Sequence, residues 1–587
     1  MSDWTPDFGQ LERAAPSWNP KRPVRIALLG DFGAGAARGR LDAGADLGAR
    51  KPIAVEFDSL DAALDRLDVS LTLPLGAAGA GVEMRFAELE AFHPDELYRN
   101  VGVFAALASL RQQLGNSATF AKAAAKVQSW SGGGRKQRAS TLARKARTRG
   151  GAPAANVKLD DFARLVGRPA VIAAPDTPVD ALLREVVAPF VVPAPDPKKD
   201  ALVASVDKAL TDAMRALLHH GEFKNLEALW RGVDFLLRRL ETGPALQVHL
   251  VDLSAEEFAA DLGAAADLGD SALYRLLVEQ PAKEKNGGYA LVCGLYQFEA
   301  TPPHAELLGR MARIAAQADA SFVTSIAPDA FADPRRDVHP LVADAWHALR
   351  SLPEAGRLAV ATPRFMLRYP YGARTDPISS FAFEEFSNDA GLGALLWGHP
   401  ALLVASLLAA PGGAKNPVVG ELPFHHVVDA DGDQVALPCT ERQLSVDAAA
   451  TLARRGLIAL LSHKGQPDVR LAGLNAVNGT PLTLPGQVPA AASRGATKIE
   501  VGIGGKVVAK ASVPAKAADD GAEEGTGAGD DAGGGDSGDL DALLAGMGGD
   551  DAGAADASAS EEAPAEETAS GDAEMDPELA ALLKSLE

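Results

Sequence analysis

The sequence predicts a multi-domain α/β protein, with mixed sheets and packed helices, followed by a disordered acidic tail. Three observations carry that prediction. Apolar runs of strand length at 24–29, 289–296, 322–326 and 358–361 alternate with helix-length segments, the pattern of strands layered against helices. A length of 587 residues, at roughly 150 per domain, allows about four structural units. Charge is segregated: residues 517–587 hold 21 carboxylates against one lysine, leaving 56 basic and 57 acidic residues in the rest of a chain whose net charge is −21. The body is electrically balanced, so the acidity of the whole chain says nothing about its partners.

Residues 1–22 form a polar N-terminal arm with Trp4 and Trp18, and no basic stretch runs into an apolar one, so no secretory signal is expected. Val24 to Leu29, closed by Gly30, reads as a buried strand. Ile53 to Phe57 is a second strand ending at a capping Asp58, and Leu60, Leu64 and Leu67 follow at helical spacing. Val82 to Phe86 is a third strand, and His93 to Leu114 reads as one helix, completing a compact α/β region over 23–120. Between Glu96 and Asp160 there are 12 Lys and Arg and no acid, densest at Arg135 to Arg149 after three glycines, and 175–197 is rich in proline. Residues 121–199 are therefore expected to be a basic, Pro-rich, exposed linker.

The main body spans 200–510. Val206, Leu210, Ala213 and Leu217 mark one helix, and Phe223, Leu226, Trp230, Val233, Leu237 and Leu240 mark a longer one with a narrow apolar seam. Leu246, Val248 and Leu250 alternate as a half-buried strand, whereas 289–296 is apolar throughout, as a strand covered on both faces should be. Ala394 to Ala410 is too short and too interrupted to span a bilayer and reads as a core helix. Val427 to Leu437 is a hairpin around Asp431 and Gly432, and Lys498 to Lys510 is a last strand pair. The tail, 511–587, cannot bury enough apolar surface to order itself. Two amphipathic islands interrupt it: Leu540, Leu543 and Leu544, and Leu579, Leu582 and Leu583. Short helices on a tether are docking elements, and two copies raise the effective concentration at one partner.

No constellation of catalytic or metal-binding residues emerges. The glycines of Gly30 to Gly35 match no phosphate-loop spacing, and Asp31 would repel an anion. Asp429, Asp431 and Asp433 begin like a calcium loop, but Gly432 comes too early and Thr440 stands where a bidentate glutamate belongs. The pairs His219–His220 and His425–His426 place their rings off one helical face. Cys293 and Cys439 are too few for a disulfide framework and fit a reducing cytosol. No cofactor is expected.

The run Leu217 to Gly232, with Phe223, Glu227, Trp230, Arg231 and Gly232, resembles a signature helix of the large contractile-sheath subunit of bacterial type VI secretion systems, the TssC family. The resemblance continues through Tyr289 to Phe298, through Arg364, Phe365, Arg368, Pro370, Tyr371 and Gly372, and through Glu384, Glu385 and Trp397, covering about 200–478 in the family's order. The front end is similar to the small subunit, the TssB family, at Leu28 to Gly33 and Phe92 to Leu97, with Arg111 and Leu114 in the following helix.

The resemblance implies a contractile-tail-sheath-like fold, with small and large subunits fused in one chain. It implies a cytoplasmic, non-enzymatic structural subunit that polymerises with itself around an Hcp-type inner tube on a baseplate. It further implies recycling by a Clp-class AAA+ unfoldase, possible use of separate small sheath subunits, and no membrane insertion. The helix that the unfoldase recognises in that family corresponds to residues 179–187, and the tail islands are an alternative docking site. Arg231, Arg364 and Arg368 are expected to fork onto Glu227, Glu384 or Glu385. Two other readings stand beside it: a nucleotide-binding enzyme using Gly30 to Gly35, and a nucleic-acid-binding scaffold using Arg135 to Arg149.

Overall fold

A nine-stranded mixed sheet organises the computed structural model. Residues 5–74, 81–130, 198–333, 337–410, 417–428 and 432–485 are described, with Leu183, Val186, Val187 and Arg335. In spatial order the strands are Val418–Val419, Val469–Leu471, Ile458–Ser462, Leu358–Thr362, Ser321–Ile326, Leu291–Phe298, Val24–Gly30, Leu246–Asp252 and Ile53–Val55. The six from Ile458–Ser462 to Leu246–Asp252 run parallel, and the outer strands are antiparallel.

Residues 23–120 do not close a sheet of their own. Val24–Gly30 lies between two strands from the far half of the chain, with Ile26 opposite Val248 on one side and Leu291 on the other. Its unbroken apolar run is what a central parallel strand requires, because both faces are covered. Ile26 and Leu28 point into one core with helices Lys199–Leu218, Gly221–Leu237 and Ala401–Ala409. Ala27 and Leu29 point into the other, with helices Ala255–Ala264, Pro302–Gln317 and Pro340–Ser351. One strand therefore feeds both layers, as a side-chain period of two dictates.

Several expectations need correction. Leu246–Asp252 is not half-buried: His249, set between the apolar positions, is itself buried, and its ring nitrogen Nε2 accepts from Arg25 Nε at 3.2 Å. The expected helix over 93–114 is two, Pro94–Asn100 and Gly102–Gly115, broken where Val101 adopts extended angles between the poor helix formers Asn100 and Gly102. Gly81–Phe86 leaves the main sheet and pairs with a strand the apolar pattern did not reveal, Val69–Pro74. The linker starts later than expected, since residues 120–130 are helical with Ala123, Ala124, Val127 and Trp130 buried.

The core helix expected over 394–410 covers only Ala401–Ala409, with the strand Trp397–Gly398 ahead of it, and among the described residues no helix is long and apolar enough to cross a membrane. His426–Val428 and Gln434–Ala436 make the expected hairpin. The N-terminal arm lies along helix Pro302–Gln317: Phe8 packs at Gly309, and the Trp18 indole donates to the Gln317 carbonyl at 3.1 Å. The strand pair at 498–510, the tail with its leucine islands, and the basic stretch 135–149 lie outside the described residues.

Candidate functional site

The residues singled out in the sequence gather along one seam, where the N-terminal region meets the main body. Helix Gly221–Leu237 builds it. Phe223 and Trp230, seven residues apart, share a helical face turned toward residues 23–120. The Trp230 indole donates to the Phe32 carbonyl at 3.0 Å, and the two rings meet edge-on with centroids 5.5 Å apart. Phe223 completes an aromatic cluster with the stacked pair Phe86 and Phe92, at 6.0 and 5.8 Å. Gly232 permits helix Ala401–Ala409 to come close, since a Cβ there would stand 2.7 Å from Leu402 Cδ1.

Behind that face lies a closed ionic network. Arg368 forks twice: Nε and Nη2 donate to Glu227 at 2.8 and 3.2 Å, and Nη1 and Nη2 donate to Glu385 at 2.7 and 3.0 Å. Arg231 donates to Glu227 at 2.7 Å and to the Tyr371 hydroxyl at 2.9 Å. The Tyr371 amide donates to Glu385 at 2.8 Å, and its ring lies under the Arg368 guanidinium at 4.1 Å. Glu227 and Glu385 are buried, so two guanidiniums neutralise two carboxylates within the protein. Burial alone would raise the Glu227 carboxyl, but the charges of Arg368 and Arg231 prevail and hold it low.

Two expected partners differ. Arg364 pairs with Glu441 at 2.7 Å, not with Glu227, Glu384 or Glu385. Glu384 accepts from the Ala373 amide at 3.0 Å and fills the space beside Gly372. Phe365 packs on Phe235 at 5.0 Å, Trp397 bridges to Met366 across a two-residue strand, and the Pro370 carbonyl accepts from the Thr375 hydroxyl at 2.5 Å.

The N-terminal region supplies the other half of the seam. His93 Nδ1 accepts from the Asp95 amide as a helix cap, and the His93 ring meets Tyr371 edge-on at 4.9 Å. That leaves the Asp95 carboxylate free to take hydrogen bonds from the Ser379 amide and hydroxyl and the Ser380 amide, at 2.8–3.1 Å. Burial pushes this carboxyl up, but the Ser380 and Ser379 hydrogen bonds outweigh it and bring it to about 2. Tyr98 stacks on Phe381 at 5.3 Å, and Arg111 pairs with Asp207. Sequence reading noticed Phe92 to Leu97 as a motif but not its receptor, Ser379 and Ser380. A Pro94 preceded by its own capping residue was the available signal that Asp95 is spare for a distant contact.

The Gly30–Gly35 loop sits at the carboxyl ends of the parallel strands, where such sheets place ligands. Its amides are already taken. Gly33 donates to Asp252 at 2.8 Å, and Gly35 and Ala36 donate to Asp31 at 2.6 and 3.0 Å. Arg40 binds Asp252 at 2.6 Å, and Arg50 binds Asp42 and the buried Glu257 at 2.6 and 2.5 Å. Carboxylates thus occupy the positions that a phosphate would need. Among the described residues no group of His, Cys, Asp and Glu is placed to hold a metal ion. His399 is neutral in a fixed tautomer, its Nε2 donating to the Tyr296 carbonyl at 3.0 Å, with burial pushing it down to about 4.

Residues 200–478 match the family model described as VipB, EvpB/VC_A0108, tail sheath N-terminal domain. Residues 19–129 match a second, described as type VI secretion system, VipA, VC_A0107 or Hcp2. The type VI secretion system sheath protein TssC1 of Pseudomonas aeruginosa is 30% identical over 295 residues, covering 45% of this chain. The chain spans 58% of that relative's length. A stretch similar to VipA and a stretch similar to VipB therefore follow one another in a single polypeptide, and the seam is where they meet.

Proposed function

We propose that this chain, a type VI secretion sheath protein with small- and large-subunit-like regions joined, is the structural subunit of a contractile cylinder and not an enzyme. The observation that carries the reading is the convergence of both regions' signature residues on one internally satisfied seam. Arg368, Glu227, Glu385, Arg231, Tyr371 and Asp95 spend their polar groups on one another or on nearby backbone and hydroxyls, which suits a rigid building block. Polymerisation into a helix needs heterologous contacts that do not close. Contraction needs rigid units with two packings of similar energy, summed over many copies.

In this reading the subunit works in the cytoplasm. Its copies surround an Hcp-type tube, stand on a baseplate and are recycled by a Clp-class AAA+ unfoldase. Leu183 and Val187 are themselves buried in the core, which favours the tail leucines, Leu540, Leu543, Leu544, Leu579, Leu582 and Leu583, as the unfoldase's handle. The nucleotide-enzyme reading is opposed by Asp31 and Asp252 on the loop amides. Negative-stain microscopy of the purified chain with its tube protein tests the proposal. Hollow helical cylinders are expected; a monomer at every concentration that turns over a metabolite overturns it.

A further inference from the structure

We infer that the place in the sheet which a separate small sheath subunit would take is filled in cis by this chain's own residues 24–30, leaving no room for such a subunit. The inference rests on the sheath reading above. Val24–Gly30 is held along all seven residues by Leu246–Asp252 and along four by Leu291–Phe298. It is not an edge strand that a neighbour displaces cheaply. Withdrawing it would split the sheet between two parallel strands and unpair the backbone groups of both. It would also uncover apolar side chains on both faces, since Ile26 and Leu28 are wholly buried in one core and Ala27 and Leu29 in the other.

The rest of the N-terminal region is fastened independently of that strand. Phe32 is held to Trp230, Asp95 to Ser379 and Ser380, Arg111 to Asp207, and the Phe86–Phe92 stack to Phe223. A second small subunit offering the same surface would have to displace every one of these contacts at once. The covalent link through residues 131–197 makes the association intramolecular, so its occupancy does not depend on protein concentration. The fused chain thereby sets a one-to-one ratio of the two regions.

A protease site inserted at residue 150 of the full chain, cut after folding, reads the arrangement directly. The two pieces are expected to elute together at the mass of the intact chain. When cut tagged and cut untagged proteins are mixed, the tagged N-terminal piece is expected to stay with its original partner for hours. Separation of the pieces, or exchange between copies, overturns the inference, as do filaments that form only after a VipA-family protein is added. If the insertion lowers the melting temperature of the uncut chain, a site at residue 165 gives the same reading. Failure of the sheath reading looks different: no filaments form with or without the added protein, while the cut pieces still travel as one particle, which supports the filled slot.

Discussion

The indole of Trp230 hydrogen-bonds the backbone carbonyl of Phe32 at 3.0 Å, while the two rings meet edge-on. One residue of the long helix thus fixes both the direction and the depth at which the N-terminal strand leaves the sheet. Trp230→Phe keeps most of the ring and removes the donor, leaving a buried carbonyl without that partner. A loss of about 1–3 kcal/mol is expected, read as a lower urea midpoint at unchanged slope. Trp230→Ala also opens a cavity and is expected to cost about 3–5 kcal/mol. A Trp230→Phe variant as stable as the parent chain would mean that the hydrogen bond contributes nothing.

How much of this was legible in advance follows from what periodicity reports. The strands at 24–30, 291–298, 321–326 and 358–362 were readable because a strand covered on both faces is apolar at every position. Helix Gly221–Leu237 was readable from its alternating steps of three and four. Their order was not. Nothing local to Val24–Gly30 says that its neighbours lie more than two hundred residues away. The same limit hid Arg364 with Glu441, 77 residues apart, and Asp95 with Ser379, 284 apart. Val69–Pro74 escaped because its buried residues, Val69, Leu71 and Leu73, alternate with Ser70 and Thr72 on the opposite face and so form no continuous apolar run.

The Arg368 network makes a second prediction. Replacing Arg368 by Met leaves the buried carboxylates Glu227 and Glu385 with one guanidinium between them. Removing one partner from a buried pair costs about 3–5 kcal/mol. Arg368→Met is therefore expected to lower the melting temperature by several degrees or to prevent folding. Adding Glu385→Gln is expected to recover part of the loss, because the uncompensated charge is gone. A double variant no better than the single one would show that the cost is packing and not charge.

Asp95 predicts an acid transition. Its folded-state value of about 2 lies below the ordinary carboxylate value near 3.8, so the unfolded chain takes up this proton first as pH falls. The stability it contributes is complete above about pH 4 and disappears as pH falls toward 2. Asp95→Asn cannot accept all the hydrogen bonds that Ser379 and Ser380 donate. It is expected to be less stable by about 1–3 kcal/mol at neutral pH. Between pH 4 and 2 its stability should fall less than that of the parent chain, and parallel curves would assign the acid sensitivity to other carboxylates.

His249 places a further transition at milder pH. Burial first, and then the Arg25 charge, push its ring down to about 4, below the ordinary value of 6.5. The sign follows from which state binds the proton first. As pH falls below 6.5 the unfolded chain protonates this histidine and the folded chain does not, so stability is complete above about 6.5 and declines until about pH 4. A gap of that size corresponds to up to about 3 kcal/mol for a group as buried as His249. His249→Gln preserves an acceptor for Arg25 Nε but cannot take up a proton. Chemical denaturation at half-unit pH steps is expected to show a shallower decline between 6.5 and 4 for this variant, with His399 accounting for part of the remainder. An unchanged slope would mean that Arg25 swings away and lets His249 ionise inside the folded protein.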